Sequence, residues 1–161
     1  FCRFVQRHQS EYVGGIFLNI ATPADFDEVW NIFQNNKEWF PHVWNTKIRK
    51  RIELGQCVLQ DGVVITFHQN NATRPIGRDT DVKVERDSYT IHQIVNSVKG
   101  NGNASKVMKE FFDWTGQDVY LTVRESNLAA NSFYKKIGMQ PVGYINWSGG
   151  KMSGRVWKFK S

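Results

Sequence analysis

The sequence predicts a mixed α/β domain, one sheet with helices on both faces. Three observations carry that prediction. The hydrophobic pattern alternates between a helical period and a strand period along the chain. An Asp61-Gly62 dipeptide joins two β-rich runs and marks a hairpin. A glycine-rich turn at residues 99–104 leads from a strand pattern into a helical one. At 161 residues the chain has the length of one domain with its own core.

The elements follow in order. Residues 1–14 are mixed in pattern and end in Gly14-Gly15, a break before the first core strand. They are read as an N-terminal extension within a single domain spanning 1–161. Residues 16–20 form the first strand. Thr22-Pro23, followed by Asp25, Asp27 and Glu28, starts a helix with a capping hydroxyl, an early proline and acids near the positive end of its dipole. Phe26, Val29, Trp30 and Phe33 recur at helical spacing as its buried stripe. Past Trp39-Phe40-Pro41, a basic helix runs over 43–54 and stops at Gly55. Residues 56–59 and 63–68 are the hairpin strands, and 70–79 is a polar loop. Residues 81–85 and 89–95 are expected to pair about a turn at 86–88. After the glycine turn come a helix with Val107, Met108, Phe111 and Phe112 on one face, a strand at 119–123, and a helix closed by Gly138. Two final strands flank Ser148-Gly149-Gly150. The order is β-α-α-β-β-β-α-β-α-β-β, an α/β (α+β) arrangement.

The formal charge of +6 and a pI near 9.4 favour an anionic partner. Cys2 and Cys57 have neither a disulfide framework nor metal-ligand spacing, and His8, His42, His68 and His92 are scattered. Reduced thiols, no metal and a cytoplasmic location are therefore expected. No apolar run has the length of a membrane span and no leader pattern is seen, so no membrane partner is expected. A monomer or homodimer is anticipated.

Lys99-Gly100-Asn101-Gly102-Asn103-Ala104 has the makings of an anion site. Glycines let the backbone curl, the first helical amides have no internal acceptor, and Lys99 adds positive charge. An ordinary loop would use the same residues. The segment lacks the Gly-Lys-Ser/Thr ending of a Walker turn, and it lies too late, with no acidic residue at a second strand end, for a dinucleotide fingerprint. The helix after it carries Asn127 as a cap, Phe133-Tyr134, and Gly138 as its left-handed stop. Tyr134 lies seven residues past Asn127, two turns along the same face.

Together these segments resemble the GCN5-related N-acetyltransferases, the GNAT family. The turn is similar to Arg/Gln-x-x-Gly-x-Gly/Ala, with Lys99 at the basic position, Gly102 at the glycine and Ala104 last. Lys99, and Asn103 where an apolar residue is usual, depart from it. Leu121-Thr-Val123 through Asn127, Ala130, Phe133-Tyr134, Lys136 and Gly138-Met139 follows the second signature closely. The likeness is specific over 91–139 and architectural from Ile16 onward.

The resemblance implies a mostly antiparallel central sheet and transfer of an acetyl group from acetyl-CoA to an amine by direct attack in a ternary complex. Residues 99–104 would cradle the pyrophosphate. Ile94 and Val95 would pair with the pantetheine arm, Asn127 and Phe133 would line the cofactor, and Tyr134 would serve as general acid. For the base the residues leave His92, Glu125, Glu85 or an ordered water. The acceptor is a small-molecule amine or a nucleic acid. Trp39, Phe40, His42 and Trp44 interleave with Lys47, Arg49, Lys50 and Arg51, and Trp147 with Lys151 and Arg155, a pattern suited to bases and phosphates or to a core edge under a solvated helix. A DNA- or tRNA-modifying enzyme and a non-catalytic binding module of the same fold are the alternatives.

Overall fold

The computed structural model describes residues 11–13 and 16–161. Among them, ten strands and four α-helices are formed, with short 3-10 turns at Pro23–Asp25 and Ser148–Gly150. The strands are β1 (Glu11–Val13), β2 (Ile16–Leu18), β3 (Cys57–Gln60), β4 (Val63–Gln69), β5 (Arg74–Pro75), β6 (Lys83–Val84), β7 (Tyr89–Asn96), β8 (Val119–Arg124), β9 (Gln140–Trp147) and β10 (Met152–Phe159). The helices are α1 (Phe26–Gln34), α2 (Asn45–Glu53), α3 (Asn103–Thr115) and α4 (Leu128–Lys136). Six strands form the central sheet in the order β3-β4-β7-β8-β10-β9. The pairs β3–β4, β8–β10 and β10–β9 are antiparallel, and β7 with β8 is parallel.

The chain divides into two compact units. The first comprises the described residues up to Phe67 together with Gln93–Trp114. Here α1 and α2 cover β3 and β4 through the side chains the helical period selects. Phe26, Val29, Ile32 and Phe33 meet Ile48 and Ile52 over Cys57, Leu59 and Val64. Phe67, on β4, meets Phe111 and Trp114 of α3 edge-on, at ring separations of 5.1 and 6.0 Å. Asp61 and Gly62, both at positive φ, make the tight β3–β4 turn.

The second unit comprises His68–His92 and Thr115–Ser161. Its frame is the β9–β10 hairpin, with β8 on the other side of β10. Tyr120, Ile145 and Val156 pack with Val84. The parallel ladder of β7 with β8 covers only Tyr89 and Thr90.

Two strand expectations are corrected. The run 81–85 does not pair with 89–95: β6 is two residues long and pairs with β5, inside the segment expected to be loop. Asn70 and Ser88 explain why. Both are buried, and their backbone and side-chain bonds close the loop across its base, leaving 71–87 to pair with itself. The strand at 16–20 is split, since β2 pairs with a β1 that the mixed pattern of 1–14 did not reveal, while Ile20 bridges Val58. The expected break at Gly14-Gly15 lies outside the described residues.

Candidate active site

The glycine turn is backbone architecture. Gly100 and Gly102 have φ of +78° and +80°, and a Cβ at either would meet nothing within 4 Å. Conformation rather than crowding therefore demands glycine here, and the space in front of the turn is open. Asn101 shapes the entry to α3: its Oδ1 accepts from the Asn103 amide at 3.0 Å and from Asn96 Nδ2 at 3.0 Å. The Lys106 amide makes the first intrahelical bond, to Gly102 O at 3.2 Å. Helix geometry leaves the amides of Ala104 and Ser105 between them without an intrahelical acceptor. The Asn103 side chain is used structurally, donating to Asp61 O at 3.0 Å. Lys106 pairs with Asp61 at 2.9 Å on the surface. Lys99 lies with its ammonium 5.1 Å from the Trp39 ring centroid, a cation–π contact. On β7, Val95 is buried and Ile94 half-buried.

In the second unit, α4 is held at both ends by the residues its sequence nominates. Asn127 Oδ1 accepts from the Ala130 amide at 3.1 Å. At the other end Met139 N donates to Tyr134 O at 3.0 Å and Gly138 N to Lys135 O at 3.2 Å, with Gly138 at φ +97°. That is a Schellman stop. Asn131, which the sequence did not single out, ties the helix to its surroundings. Its amide donates to Asn127 O at 2.8 Å and Arg124 O at 3.1 Å, and its Oδ1 accepts from Trp157 Nε1 at 2.8 Å. The Tyr134 ring lies between Phe133 and Trp157, at 5.6 and 6.2 Å. The residue is half-buried overall, but burial at the phenol pushes it up to about 12. Tyr134 is therefore a neutral hydroxyl at physiological pH.

His92 lines a pocket of about 290 Å³ with His68, Asn70, Arg74, Ile76, Thr122 and others. The sequence scatter of histidines is resolved here: His68 Nδ1 and His92 Nε2 are 2.7 Å apart, with the rings stacked at 4.8 Å. His68 Nε2 lies 2.9 Å from Asn70 Oδ1. His68 and Asn70 are the site residues that sequence reasoning missed. The other candidate bases stand elsewhere. Glu125 is exposed and paired with Arg155 at 3.4 Å, and Glu85 accepts from Thr73 Oγ1 at 3.4 Å. Neither belongs to the pocket lining. Among the described residues no group of three or more His, Cys, Asp or Glu could hold a metal, and no helix is long and apolar enough to cross a membrane.

The basic, aromatic stretch of the first unit is largely surface. Trp39 and Trp44 are 60% and 66% exposed, and Lys47, Arg49 and Lys50 are exposed beside them. Phe40 and Val43 pack on the core instead.

No family model and no curated protein matches the sequence. Solved structures match the fold instead. A GNAT-family acetyltransferase from Streptococcus agalactiae superposes with a TM-score of 0.69 at 13% identity, over 93% of this chain and 98% of that one. An N-acetyltransferase from Staphylococcus aureus gives 0.64 at 18% identity, over 87% and 98%. Arabidopsis thaliana NAA60, solved in complex with acetyl-CoA, gives 0.63 at 15% identity, over 89% and 98%. Near-complete coverage in both directions with so little shared sequence is a statement about architecture, and the chain has the fold of the GNAT acetyltransferases.

Proposed function

We propose that this chain is an acetyl-CoA-dependent N-acetyltransferase acting on a small amine. One observation carries the reading. Gly100 and Gly102, both at positive φ, open onto free space at the start of a 13-residue helix, on a fold shared with an enzyme solved with acetyl-CoA. The amides of Ala104 and Ser105 would hold the pyrophosphate at the positive end of α3, with Lys99 alongside. The backbone at Ile94 and Val95 is the proposed track for the pantetheine arm, with Asn127 and Phe133 beside the cofactor.

Acetyl-CoA, when bound, supplies an activated acyl carbon and a thiolate leaving group. His92 takes the proton that the acceptor's ammonium must lose before it can attack. Tyr134 gives its phenolic proton to the departing sulfur as a C–N bond replaces the C–S bond. It recovers a proton from the nitrogen, which carries one too many after attack. The products are the N-acetyl amine and the free thiol, with one proton left on His92.

The pocket offers His92 a small-molecule acceptor. Its lining holds Arg74 and no carboxylate, which disfavours polycationic amines and suits an amine that carries its own negative group. A nucleic-acid acceptor is the second reading, favoured by the exposed Trp39 and Trp44 beside Lys47 and Lys50.

Calorimetric titration with acetyl-CoA, with ATP as control, tests the cofactor. Micromolar binding of acetyl-CoA alone is expected, and equal or absent binding of both removes the cradle assignment. Thiol release is then followed across amino acids, phosphorylated amines, DNA and tRNA. Turnover only with nucleic acid would shift the acceptor to the second reading.

A further inference from the structure

We propose that Asn70 and His68 form a relay that fixes the tautomer of His92 and places the pair's basic lone pair on His92 Nδ1. The proposal rests on the acetyltransferase reading for the proton's source, but its geometry stands apart from it. Asn70 and His68 line the same pocket, but they are proposed to act on the proton only through His92 and so as positioning residues.

The chain of donors runs one way. Asn70 is 2% exposed, and its side-chain amide donates to Ser88 Oγ at 3.1 Å and to Thr90 Oγ1 at 2.9 Å. The Ser88 hydroxyl proton is committed to Glu85 O, so Ser88 Oγ can only accept from Asn70. Turning the Asn70 amide over would set its oxygen against an oxygen with no proton to give. The amide orientation is thereby settled by its neighbours. Backbone bonds from Asn70 N to Ser88 O (2.7 Å) and from Asp87 N to Asn70 O (2.8 Å) hold the residue in place.

Asn70 Oδ1 is a pure acceptor, so the nitrogen 2.9 Å away, His68 Nε2, must carry hydrogen. A neutral His68 then has its lone pair on Nδ1. The nitrogen 2.7 Å from it, His92 Nε2, must donate. A neutral His92 with hydrogen on Nε2 has its lone pair on Nδ1. Proton uptake there keeps every bond of the chain intact, whereas uptake on His68 Nδ1 would set two N–H groups against each other. The pair thus takes one proton as a unit, at His92 Nδ1, in a pocket that both rings line. Arg74 of β5 is in the lining, and Glu85, past the end of β6, is turned to Thr73. Arg74 opposes a second positive charge in the same space.

The relay predicts side-chain nitrogen NMR signals directly. In the wild-type protein His68 should be the Nε2–H tautomer with Nδ1 accepting, and His92 the Nε2–H tautomer. The pair should take up a single proton through the neutral range, on His92. A His68 carrying hydrogen on Nδ1, or two rings that each titrate fully and independently, would overturn the proposal. The kinetic arm uses Asn70→Asp, whose carboxylate favours a charged pair. The acid limb of kcat/KM should move up by about one pH unit, with acetyl-CoA affinity unchanged. A folded Asn70→Asp with an unmoved pH profile would also overturn it. Should that variant fail to fold, the wild-type tautomers decide alone. The NMR result judges the relay whether or not any amine turns over, and the turnover screen judges the acetyltransferase reading.

Discussion

The turn at 99–104 and the cluster around His68 are polar sites made from different materials. The turn is six consecutive residues shaped by two positive φ angles, and its proposed ligand groups are backbone amides. The cluster gathers side chains from residues 68, 70, 88, 90 and 92, two of them tied by their main chains as well. A backbone site tolerates changes in side chain. Lys99 and Asn103 depart from the GNAT pattern that the turn resembles, yet one rests on Trp39 and the other props the hairpin turn. A side-chain site has no such slack, because each member fixes the proton position of the next.

Substitutions can break either half of this contrast. The largest effect is expected from Tyr134→Phe, which removes the proposed acid and nothing else. Its kcat should fall about 100-fold with acetyl-CoA affinity intact. An unchanged kcat in steady-state assays would remove Tyr134 from the mechanism.

Gly102→Glu attacks the backbone site by its conformation and its charge. Acetyl-CoA affinity should drop roughly 30-fold, about 2 kcal/mol, as read by calorimetry. Affinity equal to wild type would mean that the turn binds no phosphate.

Alkali tests burial. Tyr134 and Cys57 are both raised to about 12, the thiol by its burial first and by the Asp25 charge second. The unfolded state ionises first, near 9 for the thiol and 10 for the phenol, and so binds fewer protons there. Stability present below pH 9 is then lost progressively as pH climbs toward 12. Denaturant midpoints should decline across that window, and less steeply in Tyr134→Phe. A flat profile from pH 9 to 11 would contradict the burial of both groups.

Asn127→Ala removes one capping bond and should cost about 1 kcal/mol of unfolding free energy. A loss of several kcal/mol would show that the residue does more than cap. Glu125→Gln is the smallest change, and kcat should stay within about twofold because its carboxylate is turned to Arg155. A 100-fold loss would return Glu125 to the list of bases and displace His92.

What the sequence made legible follows the same division. The Asp61-Gly62 hairpin, the Asn127 cap and the Gly138 stop depend on residues near one another in the chain, so spacing revealed them. The helical period picked out Val107, Met108, Phe111 and Phe112, and all four are buried. Asn131 was missed because its bond to Trp157 spans 26 positions. His68 was missed because its bond to His92 spans 24. The short β5–β6 pair was missed for another reason. Two-residue strands carry no period, and only the buried Asn70–Ser88 bonds at the base of the loop say that 71–87 must close on itself.

The Lys99–Trp39 contact has an optical consequence. Trp39 is mostly in water and has an ammonium against its ring, an arrangement to which indole emission is sensitive. A phosphate drawing Lys99 toward the turn would take that charge off the ring. Occupancy of the glycine turn would then be written into the emission of one tryptophan of six, readable as the difference between the native chain and Trp39→Phe. The Lys99–Trp39 contact would thus give the protein its own dye.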